Sequence, residues 1–245
     1  MDRESFLSRR RFLGGVGGVA GAAALGGVGA AEALAGPRGS GGKAPHPKTP
    51  TEALKILEAG NRRYRQEKLT LKDYSPVGER RAASQKPFAA IITCADSRIS
   101  SELVFDVERG NVFTSRIAGN SIDQGTLGST EYAVAVLGVQ VVMVLGHSDC
   151  GAIKAAISAV SEGKKFPASE FGAIGDIVDL LTPTVKSLPA DERTLTRCVP
   201  ANAIAQAQQL SHRGPIIAPA VASGKIKIVA GVYNIANGAV SVFEV

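Results

Sequence analysis

The chain has 245 residues, of which 44% are apolar and 20% charged, so it can bury one sizeable core and is excluded from the globally disordered class. Aromatic residues make up only 5% and Trp is absent, which leaves Ala, Val, Ile and Leu to build that core. The net charge of +6 is a mild excess with no basic stripe interleaved with aromatics, so no nucleic-acid partner is expected.

At the N-terminus, Ser8-Arg9-Arg10-Arg11-Phe12-Leu13 is followed by a Gly/Ala-rich, weakly apolar stretch from Gly14 to Ala31 and by Ala33-Leu34-Ala35. This order resembles a twin-arginine export signal with its cleavage site over residues 1–35. The resemblance implies export through the twin-arginine machinery to a periplasmic or other extracytoplasmic location. That route carries folded proteins, so a metal would be acquired before export. Residues 36–48 read as a Gly/Pro-rich flexible linker, with His46 solvated rather than a ligand. The main domain is then 49–245.

Thr49-Pro50-Thr51-Glu52 combines an N-cap, a Pro at the first helical position and a capping-box Glu. Ala53, Ile56, Leu57, Gly60 and Tyr64 then share one face, predicting an N-terminal helical arm over 50–67 with a solvated basic end. Short apolar runs predict buried strands at Phe88–Thr93, Val112–Ile117, Gln140–Leu145 and Ile226–Tyr233. Ala239–Val245 reads as a last, antiparallel strand turned by Asn237-Gly238. Helical patterns cover 130–137, 151–161, 170–187 and 200–212. The fold class is therefore α/β, with a mainly parallel central sheet flanked by helices.

Two of these strands run into reactive clusters: Cys94-Ala95-Asp96-Ser97-Arg98 and Gly146-His147-Ser148-Asp149-Cys150-Gly151. Parallel α/β sheets place their sites at the carboxyl ends of strands. His147 and Cys150 have the spacing H-x-x-C, and Cys94 can supply a third ligand from a neighbouring strand. Cys, His, Cys suits Zn²⁺ with a fourth position open. A Cys94–Cys150 disulfide, with Cys198 as the spare thiol, stays open at this point. Glycines 146 and 151 are expected to permit the tight turn, Asp149 to cap the helix starting near Gly151, and Cys198 to be a buried, idle thiol. His212 reads as a helix-terminal residue.

Cys94-Ala95-Asp96-Ser97-Arg98 resembles the C-x-D-S-R motif of β-carbonic anhydrases, and His147-Ser148-Asp149-Cys150-Gly151 resembles their H-x-x-C-G motif. Arg116–Asn120, Gly128–Ala133 and Gly60–Tyr64 are similar to further segments of that family, in the family's order. The resemblance implies one Zn²⁺ per chain on Cys94, His147 and Cys150, with Asp96 and Arg98 as the catalytic dyad. It implies reversible hydration of CO₂ to bicarbonate by a zinc-bound hydroxide that Asp96 orients and whose partner Arg98 keeps ionised. It also implies a homodimer or a multiple of dimers. The absence of Trp favours the family's constitutively open form, in which Asp96 stays off the metal. Two alternatives remain: hydrolysis of carbon disulfide or carbonyl sulfide on the same fold, and a non-catalytic exported binding protein with the Cys94–Cys150 disulfide.

Overall fold

The computed structural model describes residues 46–70 and 85–245. The leader and most of the linker lie outside the described residues. His46 is exposed, as expected of a linker residue. Among the described residues, no helix is long and apolar enough to cross a membrane.

Five strands form one sheet: β1 (Ala89–Thr93), β2 (Val112–Arg116), β3 (Val141–His147), β4 (Lys227–Tyr233) and β5 (Val240–Glu244). Their order is β2-β1-β3-β4-β5, with the first four parallel and β5 antiparallel to β4. The reversal into β5 uses residues 234–239, with Gly238 at φ 72°. This is the predicted fold class. β1 and β3 are buried throughout because helices cover both faces. Ala89, Ile91, Val141, Met143 and Leu145 face one apolar layer, while Ala90, Ile92, Val142 and Val144 face the other. Each fully buried Ile, Leu or Val contributes roughly 1.5–3 kcal/mol of transfer free energy, so these runs are held in register from both sides.

The first layer is closed by α1 (Pro50–Arg65), α2 (Ser101–Val104), α4 (Gly151–Ser161) and α6 (Ile174–Ser187). The second is closed by α3 (Gln124–Ala135), most of α7 (Leu195–Ser211) and α8 (Ile217–Ala222). A short helix, α5 (Ala168–Phe171), precedes α6; Gly172, at φ 54° and ψ −136°, breaks what the sequence reading took as one helix over 170–187. The helix expected at 130–137 starts six residues earlier, at Gln124, where the Asp123 carboxylate caps it by accepting from Thr126 N–H at 2.7 Å. α7 begins five residues before Pro200, which lies inside the helix instead of opening it.

Helix α1 starts as predicted, with Thr49 Oγ1 accepting from Glu52 N–H at 3.2 Å. The reciprocal half of the capping box is displaced: Glu52 accepts from the backbone N–H of Lys48, at 2.6 Å, rather than from Thr49. The helix is locked to the fold by Asn61. Its amide donates to Val104 O at 3.0 Å and Gly238 O at 2.8 Å, and its carbonyl accepts from Val240 N–H at 3.0 Å. Gly60 lies against the backbone of Phe105 so closely that a Cβ there would sit 1.7 Å from the Phe105 oxygen. Arg63 pairs with buried Asp106 at 2.5 Å, and Asp106 also accepts from the N–H and hydroxyl of Thr70.

Candidate metal centre

Strands β1 and β3 are neighbours paired from Ala89↔Val141 to Thr93↔Leu145. Cys94 is the residue immediately after β1. β3 runs two residues past the predicted end, so His147 is its last residue, paired with Tyr233 of β4. Cys150 follows after a three-residue step and is the N-cap of α4. The topology thus delivers all three predicted ligands to one end of the two central strands. Their ligand atoms lie within 4.8 Å of one another, and all three residues are buried.

The turn between His147 and Cys150 differs from expectation. Its left-handed residue is Asp149, at φ 62°, not Gly146 or Gly151. Aspartate tolerates that region because its short side chain can bond locally. The N-cap position of α4 is taken by Cys150, one residue later, and the N-terminus has no side-chain cap; Asp149 instead pairs with Lys154. The turn is anchored to β4 by Ser148, whose N–H donates to Tyr233 O at 2.9 Å and whose hydroxyl accepts from Ile235 N–H at 3.0 Å.

The donor set fits zinc. His147 Nδ1 lies 2.8 Å from the carbonyl of Ser148, and a carbonyl can only accept. Nδ1 therefore carries the proton, and the Nε2 lone pair is turned toward the cysteines. Nε2 is fully buried and has no hydrogen-bond partner, a costly arrangement that a metal ion relieves. Cys94 and Cys150 are free thiols in the structure, not a disulfide. The thiol of Cys150 donating to Cys94 holds Cys94 well below the ordinary thiol range, against the opposing effect of burial. Cys150 is pushed up by that same bond and by burial. Burial pushes His147 down, but the Cys94 thiolate, the Ser148 carbonyl and the Asp96 carboxylate together shift it upward. The cluster is a negatively polarised hole with soft donors, the chemistry of a zinc site.

Asp96 stands beside it. Its Oδ2 is 3.9 Å from His147 Nε2. Arg98 grips both carboxylate oxygens, Nε to Oδ1 at 2.9 Å and Nη2 to Oδ2 at 2.7 Å, and its backbone N–H also donates to Oδ1 at 2.9 Å. The guanidinium keeps the Asp96 carboxyl far below the usual carboxylate range. Asp96 is only 17% exposed, whereas Arg98 is about half exposed, so the arginine approaches from the solvent side. Asp96 thus faces Arg98 and is not one of the clustered metal donors.

Two contributors were not assigned a role from sequence. Arg116, the last residue of β2 and the register partner of Thr93, donates through Nε to Cys94 O at 3.2 Å and through Nη2 to Asp96 O. It braces the loop that carries both a ligand and the dyad. The parallel pairing of the two predicted strands was the signal that could have placed it there. Gly119, at φ 73°, donates its N–H to Cys94 Sγ at 3.4 Å. Cys198 is fully buried and is not part of the cluster, consistent with an idle thiol. His212 is the exposed C-cap of α7.

A family model described as carbonic anhydrase matches residues 89–240, which span every residue of this centre. The chain is 38% identical over 199 residues to a carbonic anhydrase of Mycolicibacterium smegmatis, covering 78% of this chain and 92% of that one. It is 43% identical over 138 residues to carbonic anhydrase 2 of Mycobacterium tuberculosis, covering 56% and 64% respectively. Among solved structures, it resembles the β-carbonic anhydrase CcaA, with a TM-score of 0.58 and 25% identity over 67% of this chain and 76% of that one. It also resembles a Coccomyxa β-carbonic anhydrase in complex with acetazolamide, with a TM-score of 0.56 and 28% identity over 65% and 73%. With the fold, the ligand cluster and these likenesses in agreement, the chain belongs to the β-class carbonic anhydrase family.

Proposed function

We propose that this protein catalyses the reversible hydration of CO₂ to bicarbonate and a proton, with one Zn²⁺ per chain held by Cys94, His147 and Cys150. The observation that carries this reading is the convergence of three buried soft donors, one an orphaned imidazole nitrogen, beside a carboxylate locked by an arginine. Zinc, when bound, supplies Lewis acidity that makes water a usable nucleophile near neutral pH. Two thiolates offset the ion's charge, so this site acidifies water less than a three-histidine site would.

The chain's own residues do the rest. Asp96, held ionised by Arg98, can only accept hydrogen bonds. It accepts a hydrogen bond from the O–H of the attacking oxygen and so turns an oxygen lone pair toward the CO₂ carbon. Arg98 fixes the carboxylate plane through a two-point grip that a lysine could not reproduce. Arg116 holds the carbonyls of Cys94 and Asp96, which keeps ligand and dyad on one rigid loop.

Assembly as a dimer or a multiple of dimers is part of the same proposal. Tyr132 on α3 and Val136 at its C-cap are exposed, and Tyr132 packs on Phe113 of edge strand β2, leaving an apolar patch at that edge of the sheet. Stopped-flow CO₂ hydration, zinc analysis and sedimentation of one purified sample test the reading together. The expected result is rapid hydration, one zinc per chain and a dimer or larger. A zinc-loaded protein that turns over carbon disulfide but not CO₂ overturns it.

Export is proposed from the leader alone. Arg9 and Arg10 followed by Phe12-Leu13 and the Ala33-Leu34-Ala35 site support passage through the twin-arginine route. Replacing Arg9 and Arg10 with Lys is expected to leave the protein in the cytoplasmic fraction. Unchanged export of that variant refutes the assignment.

A further inference from the structure

The segment Ala118–Asn120 passes beside Cys94 after leaving β2, where Ile117 N–H still pairs with Thr93 O at 3.0 Å. Its middle residue, Gly119, is fixed on every side. The N–H points at Cys94 Sγ at 3.4 Å. The carbonyl accepts from Asn202 Nδ2, 83 residues away on α7, at 2.9 Å. A side chain is disfavoured there by the left-handed φ of 73°, and a Cβ would also meet Leu181 Cδ1 at 2.7 Å. One helical turn beyond Asn202, Gln206 Oε1 accepts from Ile122 N–H at 3.1 Å, so two amides on one face of α7 clamp the same passage.

Asn202 is 1% exposed and flanked in the core by Val199 and Ala203. Its Oδ1 has no hydrogen-bond partner. A buried amide with an unsatisfied oxygen is a poor choice for packing alone, where a leucine of similar volume would carry no such cost. Only its donor is used, and that donor has a single target.

Resting on the proposed zinc reading, we infer that Asn202 is a positioning residue for the metal centre: by holding the Gly119 carbonyl it keeps the Gly119 N–H on Cys94 Sγ and so sets the donor strength of that thiolate. An N–H···S bond withdraws electron density from the sulfur and restrains its direction. Without the amide, glycine's freedom lets the two peptides flanking Gly119 rotate and the bond is lost.

The test uses the full chain loaded with cobalt(II) as a probe for zinc, in wild type, Asn202→Asp, Asn202→Leu and Gln206→Leu. Asp keeps the shape without the donor, and Leu keeps the volume. Both Asn202 variants are expected to move the thiolate-to-cobalt charge-transfer band to longer wavelength, because the sulfur regains electron density, and to release metal to a competing chelator about tenfold faster, because its direction is no longer restrained. Gln206→Leu is expected to lower the melting temperature while leaving the band in place, because it frees Ile122 and not Gly119. Unmoved bands and wild-type release in both Asn202 variants overturn the inference while leaving the zinc reading intact. An equal band shift in Gln206→Leu also overturns it, by showing general loosening. A wild type with no thiolate–cobalt band removes the zinc reading and this inference together.

Discussion

Asp96→Asn is expected to retain one zinc per chain and to hydrate CO₂ at least about a hundredfold more slowly than wild type. The substitution preserves volume and changes two things. The group beside the metal becomes able to donate a hydrogen bond, so it no longer imposes one orientation on an attacking water. Arg98 also loses the charge that holds it in a two-point grip. Metal content should not follow the rate, because Asp96 is not among the clustered donors. The pH dependence discriminates further. Arg98 depresses the folded-state pKa of Asp96 below its unfolded value near about 3.9. The pairing therefore contributes stability above that unfolded value, which is lost as pH falls through the lower, folded pKa. Across the neutral range Asp96 stays ionised, so the acid limb of the wild-type rate profile is not its titration. In Asp96→Asn that limb should keep its position while the plateau drops. Stopped-flow rates from pH 6 to 9 with metal analysis check this. An unchanged plateau eliminates the dyad.

The second large effect is structural. Gly60→Ala is expected to destabilise the protein by about 3 kcal/mol or more, which for a chain of this size lowers the melting temperature by roughly 6–12 °C. Helical propensity alone argues the other way, since Ala in a helix interior is worth about 1 kcal/mol over Gly. Packing decides the sign. A Cβ at this position lies 1.7 Å from Phe105 O and 2.6 Å from its carbonyl carbon, both backbone atoms that cannot swing aside. α1 would have to lift, breaking the three hydrogen bonds of Asn61 next to it. Thermal unfolding followed by circular dichroism reads this directly. A melting temperature at or above that of wild type would show that α1 can shift at little cost.

Gly60 also marks where sequence reading stopped short. The apolar stripe of α1 was legible, but Gly60 read as one more small residue on that stripe, whereas its function is a backbone contact that no local pattern encodes. Asn61, beside it, is polar, so periodicity assigned it to no face, yet it is buried. The strands were legible because two-sided burial leaves continuous apolar runs. Helix ends were less so. Gly125 and Gly128 conceal the first turns of α3, and Pro200 suggested a start for α7 that lies in its interior. α2 and α8, of four and six residues, are too short to show a period. At the site, the three clustered donors and the paired Asp96 and Arg98 were visible as motifs at strand ends. Asp149 does not cap because the N-cap position falls on Cys150, a boundary one residue finer than sequence signals resolve. Arg116, Gly119 and Asn202 act through backbone atoms of other residues, contacts that arise only once β2 and α7 have docked.

His147 still belongs to the β3–β4 ladder, and Cys94 leaves β1 at the point where that strand is paired on both sides. Backbone in the innermost strands of a sheet opens only when the whole domain does, unlike a ligand borne on a fraying loop. An ion held here therefore has two exits: global unfolding, or stepwise substitution of its side-chain donors by a competitor entering past the partly exposed Asp96. Retention of the ion is then a matter of solvent access and of how firmly the sulfurs are held, with Cys150, in the turn before α4, the donor farthest from a strand end.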